Sequence, residues 1–209
     1  MDIIEKYFPE LTEEQKSQFL KLGVSFSEWN AQINLVSRKD IDEFYTRHVL
    51  HSLAIAKAMN FADESKVLDV GTGGGLPGIP LAILFPKVEF VLCDSIGKKI
   101  KVVKALIQDL GLKNVKAYNL RANEVPGKFD FVVSRAVTRM KKFIPWVENK
   151  ISDRCLNPWP NGILYLKGGD LKEELSEIKK STEVLSVSDW FNEEFFETKA
   201  VVYVKLKFL

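Results

Sequence analysis

The spacing of apolar positions divides the chain into two textures. Over the first sixty residues it is helical. Thr12 followed by Glu13, Glu14 and Gln15 marks a helix start: a capping hydroxyl, then side chains that favour the positive end of the helix dipole. Phe19, Leu20, Val24, Phe26 and Trp29 then recur roughly one helical turn apart. A second helix is predicted over 42–60, with Phe44, Val49, Leu50, Leu53, Ile55 and Ala56 on its apolar face. From Lys66 onward, short β-rich runs alternate with helical stretches. Strands are predicted at 67–70, 88–93, 115–118, 129–133, 163–166 and 200–207, and helices at 79–85, 98–110 and 171–180. Pro86, Gly111 and Gly127 fall between elements, where breakers belong. Such alternation implies parallel βαβ units with helices on both faces. The expected fold is α/β: a doubly wound, mostly parallel sheet over 61–209, with an N-terminal helical extension over 1–60 packed into one compact unit.

Composition narrows the class without choosing a function. With 209 residues, 46% hydrophobic and 28% charged, the chain can bury a core. Its apolar runs, such as 79–85, fall short of the roughly 20 residues that span a bilayer. The opening MDIIEKYFPE has neither the basic nor the apolar region of a secretory signal. A cytoplasmic protein without a membrane partner is expected. Cys93, inside the run Phe90 to Cys93, reads as a buried, reduced thiol. Two cysteines and two histidines at these spacings make no zinc site, so no metal is expected. A net charge of +2 does not announce a nucleic-acid binder; by composition alone RNA is a minority hypothesis.

The chemistry concentrates at Asp69-Val70-Gly71-Thr72-Gly73-Gly74-Gly75-Leu76-Pro77-Gly78, which joins an apolar strand to an apolar helix. Glycines there allow a sharp turn and a close approach of ligand to main chain. A dinucleotide fingerprint can be read at Gly73, Gly75 and Gly78, but its frame is wrong. The strand ends at Val70, so the fingerprint would begin at Gly71 and its last position would fall on Leu76. Asp69 also suits the cationic amino-acid end of S-adenosylmethionine better than a pyrophosphate. Asp94 closes the next strand, where a carboxylate accepts from ribose hydroxyls. After the third strand, Ala122 and Asn123 offer a backbone N–H and an amide to an adenine edge. Each feature has a plainer reading as a helix cap or turn residue. Their order favours an S-adenosylmethionine site.

The stretch from Leu68 to Ala82, with its Leu-Pro-Gly-Ile-Pro tail, resembles the bacterial glucose-inhibited division protein B family. Trp29-Asn30, Ile33-Asn34-Leu35, Arg47-His48, Asp94-Ser95, Gly97-Lys98, Ser134-Arg135-Ala136 and Tyr165-Leu166-Lys167-Gly168 match it in order. The family's members are small-subunit (16S) ribosomal RNA guanine-N7 methyltransferases of the class I S-adenosylmethionine-dependent fold. The resemblance implies cofactor contacts at Gly71, Leu76, Asp94, Ala122, Asn123 and Arg135, to which the loop reading adds Asp69 and Gly73. The chain departs from the family at His51, where relatives usually carry Asp, and at Asn123, where many carry an acid.

Guanine N7 has a free lone pair, so its methylation needs positioning and electrostatics but no general base. The position that reads Asn/Asp-Pro-Pro-aromatic in exocyclic-amine methyltransferases is Ser134-Arg135-Ala136-Val137 here. Arg135 and Lys167 end the fourth and fifth strands and are the candidates for positioning substrate, against a structural or solvent-facing role. Arg47, Lys98 and Lys101 are candidate RNA contacts, against the commoner solvated face. His48 and His51 share a helix face, but a metal pair would need further ligands nearby. The expected partner is ribosomal RNA or the small subunit. The sequence does not fix the oligomeric state; a monomer is favoured. A class I methyltransferase acting on protein or a small molecule, and a non-catalytic module binding nucleosides or RNA, remain as alternatives.

Overall fold

The computed structural model describes residues 1–207, with the backbone alone at 38 and 39. The last two residues assigned to the sheet domain therefore lie outside the described residues. Helices α1 (Asp2–Tyr7), α2 (Glu13–Gln32), α3 (Arg38–Ile41) and α4 (His51–Ala58) form the extension, and a π-helical turn over Tyr45–Leu50 leads into α4. Then come β1 (Lys66–Val70), α5 (Gly78–Leu84), β2 (Glu89–Cys93), α6 (Gly97–Asp109), β3 (Val115–Tyr118), β4 (Phe131–Arg135) and α7 (Met140–Val147). The chain closes with β5 (Gly162–Gly168), α8 (Lys172–Ser176), β6 (Thr182–Ser186) and β7 (Lys199–Lys205).

The sheet order is β3-β2-β1-β4-β5-β7-β6. The first five strands are parallel, and β7 is antiparallel to both β5 and β6. This is the doubly wound, mostly parallel sheet expected. The order reverses between β1 and β4, which opens a crevice at their carboxyl ends. Leu68 and Val133 face opposite sides of β1 and β4 and are fully buried, because parallel strands are covered on both faces.

The extension is built onto this crevice. Thr12 caps α2: its Oγ1 accepts from Gln15 N–H at 3.2 Å, and Gln15 Oε1 accepts from Thr12 N–H at 2.9 Å. Gln15 also donates to the carbonyls of Ile83 and Leu84, two of the orphan acceptors at the end of α5. The buried face of α2 is Phe19, Leu22 and Phe26. Leu20 and Val24, read from the sequence as part of that face, are 52% and 63% exposed. They point away because the i, i+3, i+4 stripe starts at Phe19 and continues through Leu22 and Phe26. Asn30 Oδ1 accepts from the N–H groups of Leu35 and Val36 at 2.9 Å each, fixing the turn after α2. One hydrophobic core runs through both parts, from Phe26, Phe44 and Leu53 to Ile79, Phe90 and Phe131.

Of the strands and α-helices in the sheet domain, α7 and β6 do not stand out in the sequence. Helix α7 contains Pro145, which reads as a breaker, but its amphipathic pattern buries Met140, Phe143, Ile144 and Val147. Strand β6 is an edge strand with Glu183 and Val184 exposed, too polar to stand out. The second predicted helix is divided, since the π-helical turn precedes α4.

Candidate cofactor cavity and active site

A cavity of about 650 Å³ lies across the carboxyl ends of β1, β2 and β4, a volume usual for ligand sites. Gly71, Asp94, Ala122, Asn123, Val137 and Trp146 line it. The glycine loop enters its wall at Gly71, where the main chain turns sharply. Gly71 has φ +68°, and its N–H donates to Cys93 O at 2.9 Å, tying the loop to the end of β2. A Cβ on Gly71 would stand 2.4 Å from Val137 Cγ2, so glycine is needed for both conformation and space. A Cβ on Gly74 would meet the Phe26 ring at 2.7 Å, which is how α2 of the extension seats on the loop.

Asp94 lies at the cavity wall with both oxygens fixed. Oδ2 accepts from Gly73 N–H at 3.0 Å and Oδ1 from Ile96 N–H at 2.9 Å. Ala122 and Asn123 line the same cavity on a 3-10 turn after β3. Gly71, Asp94, Ala122 and Asn123 are therefore brought together.

Other sequence candidates lie elsewhere. Asp69 does not line the cavity. It is fully buried beneath the loop, where Oδ2 accepts from Thr72 Oγ1 at 2.6 Å and from Gly78 N–H at 2.8 Å. It thus joins the start of the loop to the N-terminus of α5, and the reading of Asp69 at the amino-acid end of the cofactor gives way to this scaffolding contact. Burial pushes its carboxyl up to about 7, against the pull of Thr72, Gly78 and Arg135. Leu76 is 4% exposed within the hydrophobic core and is not part of the cavity wall. Gly73 borders the cavity through its bond to Asp94, and a Cβ there would meet nothing within 4 Å.

Arg135 ends β4 but turns toward the extension, where Nη1 lies 3.4 Å from the Arg47 carbonyl. Burial pushes it down to about 10, with Asp69 and Asp40 pulling the other way, so it stays cationic at neutral pH. Burial likewise lowers His48 to about 4 and His51 well below its usual range, each helped by the Arg135 charge. Both histidines are therefore neutral. His51 packs edge-on against Phe195 and Phe196, with ring centroids 5.6 and 6.1 Å away. In that aromatic pocket an unpaired carboxylate would be costly.

Lys167 is engaged within the protein. Its Nζ donates to Thr138 O at 2.9 Å and to Glu174 Oε1 at 2.7 Å, and both side chains of the pair are nearly buried. Glu174 also accepts from Met140 N–H at 2.6 Å, so the pair fixes the start of α7. Arg47 is held by Asp40 and Glu43. Lys98 and Lys101 are exposed on α6. Burial pushes the Cys93 thiol up to about 12, as expected for an inert buried cysteine.

Val137, Tyr165 and Trp146 were missed. Tyr165 is fully buried on β5; its hydroxyl accepts from Val137 N–H at 3.0 Å and Thr138 N–H at 2.9 Å, and bonds to Thr138 O at 3.0 Å. It thereby holds the turn in which Ala136 takes φ +55°, a conformation costing a non-glycine residue roughly 1–2 kcal/mol. An apolar strand containing Tyr gives no sign that its hydroxyl supports a loop after another strand.

Comparison with known proteins agrees with this architecture. Solved structures with the same fold include an S-adenosylmethionine-dependent methyltransferase from Aquifex aeolicus (TM-score 0.56, 16% identity, 81% of this chain and 98% of that one). Another is precorrin-6y C5,15-methyltransferase from Geobacter metallireducens (TM-score 0.55, 12% identity, 83% and 91%). The fold is that of the class I methyltransferases. Much nearer in sequence is the ribosomal RNA small subunit methyltransferase G of Flavobacterium psychrophilum, 58% identical over all of this chain and 99% of the relative. The protein of the same name from Bacteroides thetaiotaomicron is 52% identical over 99% of this chain and all of the relative. The sequence model of the family described as rRNA small subunit methyltransferase G matches residues 15–202. With helices α3 and α4, the glycine loop and the β4 turn all inside that match, the chain belongs to the family of the ribosomal RNA small subunit methyltransferase G.

Proposed function

We propose that this protein transfers a methyl group from S-adenosylmethionine to N7 of a guanine in small-subunit ribosomal RNA. The observation that carries the N7 assignment is the absence of a free base in the cavity. Among the described residues lining it, the one carboxylate is Asp94, and both its oxygens accept main-chain N–H groups. With Asp94 given to the two main-chain N–H groups and the ribose, no carboxylate in the cavity is left for a nucleophile that must first lose a proton, whereas N7 needs none.

The cavity fits the cofactor. Gly71 lines it at the turn after β1, packed against Val137, and the Asp94 carboxylate at the wall suits a ribose diol. When bound, S-adenosylmethionine supplies an electrophilic methyl group. Asp94 would hold the ribose, Ala122 N–H and Asn123 the adenine edge, and the loop at Gly71 the amino-acid end. Arg135, cationic at the end of β4 and bonded to the Arg47 carbonyl, would act as a positioning residue that holds the extension against the sheet rather than touch the base. Val137, held by Tyr165, would fix the wall beside the transferred methyl group.

Single-turnover methyl transfer with RNA and cofactor saturating tests this. The rate should be nearly flat between about pH 6.5 and 8.5, since no base ionises. Asp69, raised to about 7, is a buried acid that titrates in that window. Any slope from it should vanish in Asp69→Asn. A tenfold rise with an apparent pKa of 7 to 8 that persists in Asp69→Asn would mean that a base is at work.

A further inference from the structure

The cavity has a second face that the cofactor contacts do not use. Trp146 lines it yet remains 44% exposed. The indole is held from behind: Phe143 lies 6.1 Å away between ring centroids, and the opposite side of α7 is buried through Met140, Phe143, Ile144 and Val147. Helix α7 also packs against the 122–124 turn, which sets the ring at the cavity rim. A rigid, preordered aromatic surface facing outward loses little entropy when something stacks on it.

Cations gather around that ring. Lys99 and Arg121 line the same cavity, and Lys142 lies one turn before Trp146 on the exposed side of α7. Lys98 and Lys101 extend the positive strip along α6. Among the described residues none of these five side chains forms an ion pair, although Lys and Arg elsewhere commonly do. Glu124, three residues after Arg121, is turned back to accept from its N–H, and Glu148, two after Trp146, pairs with Lys180 at 3.5 Å. An aromatic platform among unpaired cations is what single-stranded nucleic acid requires: stacking for a base, charge for its phosphates.

We propose that Trp146 stacks on an unpaired base of the substrate RNA, with Lys99, Arg121 and Lys142 on the flanking phosphates. The proposal rests on the RNA-substrate reading above and moves the RNA face from Arg47, which is ion-paired, to the α6–α7 rim. The contact lies beside the cofactor cavity, so it also sets the path by which the strand brings its target base to the methyl group.

The test uses the full chain, a transcript of small-subunit ribosomal RNA, and S-adenosylhomocysteine as the cofactor probe. Trp146→Ala should weaken RNA binding about tenfold at fixed salt, in the range of one lost base stack, without changing the salt dependence. Trp146→Phe should recover most of that loss. Lys99→Gln and Lys142→Gln should each make the slope of log K against log salt shallower by about 0.7. Trp146→Ala should still bind S-adenosylhomocysteine, which reports that it folds. Unchanged RNA affinity in Trp146→Ala, or a tenfold loss of S-adenosylhomocysteine affinity with RNA binding intact, would overturn the proposal and assign the indole to the cofactor. Wild-type protein that binds S-adenosylhomocysteine but no RNA would remove the substrate reading itself, and this contact with it.

Discussion

The main-chain N–H of Gly73 donates to Asp94 Oδ2 at 3.0 Å, so the glycine loop after β1 and the acid after β2 form one unit. Asp94→Asn keeps the shape but sets an NH2 group against an N–H donor. Hydrogen bonds to charged groups contribute roughly 1.5–3 kcal/mol. Affinity for S-adenosylhomocysteine should fall at least about tenfold and Tm by several degrees. Calorimetry on the variant reads both; wild-type affinity would remove Asp94 from the ribose site.

Gly71 and Gly73 both have positive φ but differ in their surroundings. Gly73→Ala adds a methyl group to open space and should cost only the backbone strain, about 1 kcal/mol. Gly71→Ala must also push Val137 aside and should cost clearly more. Denaturant melts of the two variants give the order. Equal stabilities would mean that the β4 turn yields easily.

Lys167 is placed to support α7 rather than to touch substrate. Lys167→Met leaves Glu174 nearly buried without its cation and should cost about 3 kcal/mol, the scale of a broken buried pair. The double variant Lys167→Met/Glu174→Gln should recover part of that stability. Unchanged Tm with a raised KM for RNA would instead return Lys167 to the substrate.

The buried ionisable groups oppose one another in pH dependence. His48, lowered to about 4, refuses a proton that the unfolded chain accepts near 6.5. Its contribution is full above pH 6.5 and is lost as pH falls toward 4, up to about 3 kcal/mol; His51 acts in the same direction. Asp69 does the reverse. Its folded pKa is raised to about 7, so its contribution is full below about pH 4 and is lost as pH rises through 7. Between pH 4.5 and 6.5 the loss of stability on acidification should therefore steepen by about one proton in Asp69→Asn. Urea melts across that range check it, and an unchanged slope would mean that Asp69 is ionised in the folded protein.

The parts of the fold governed by local pattern were legible in the sequence. The parallel strands read as β-rich runs, and Gly71, Asp94, Ala122 and Asn123 stand at strand ends, where chain order predicts position. What depends on side-chain direction was not. Asp69 alternates inward along β1 and so lies under the loop rather than over the ligand. Arg135 leans toward the extension, Lys167 toward α8, and Tyr165 reaches a loop that follows a different strand. Trp146 sits on α7, a short helix containing Pro145 over which the sequence predicts no element.

The central claim is tested most directly by the product. Small-subunit ribosomal RNA lacking the modification, incubated with this protein and methyl-labelled S-adenosylmethionine, is digested and its nucleosides are resolved by mass. The account predicts label in 7-methylguanosine, at one position of the RNA. Label in an exocyclic amine or a ribose hydroxyl, or none in the RNA at all, would contradict it.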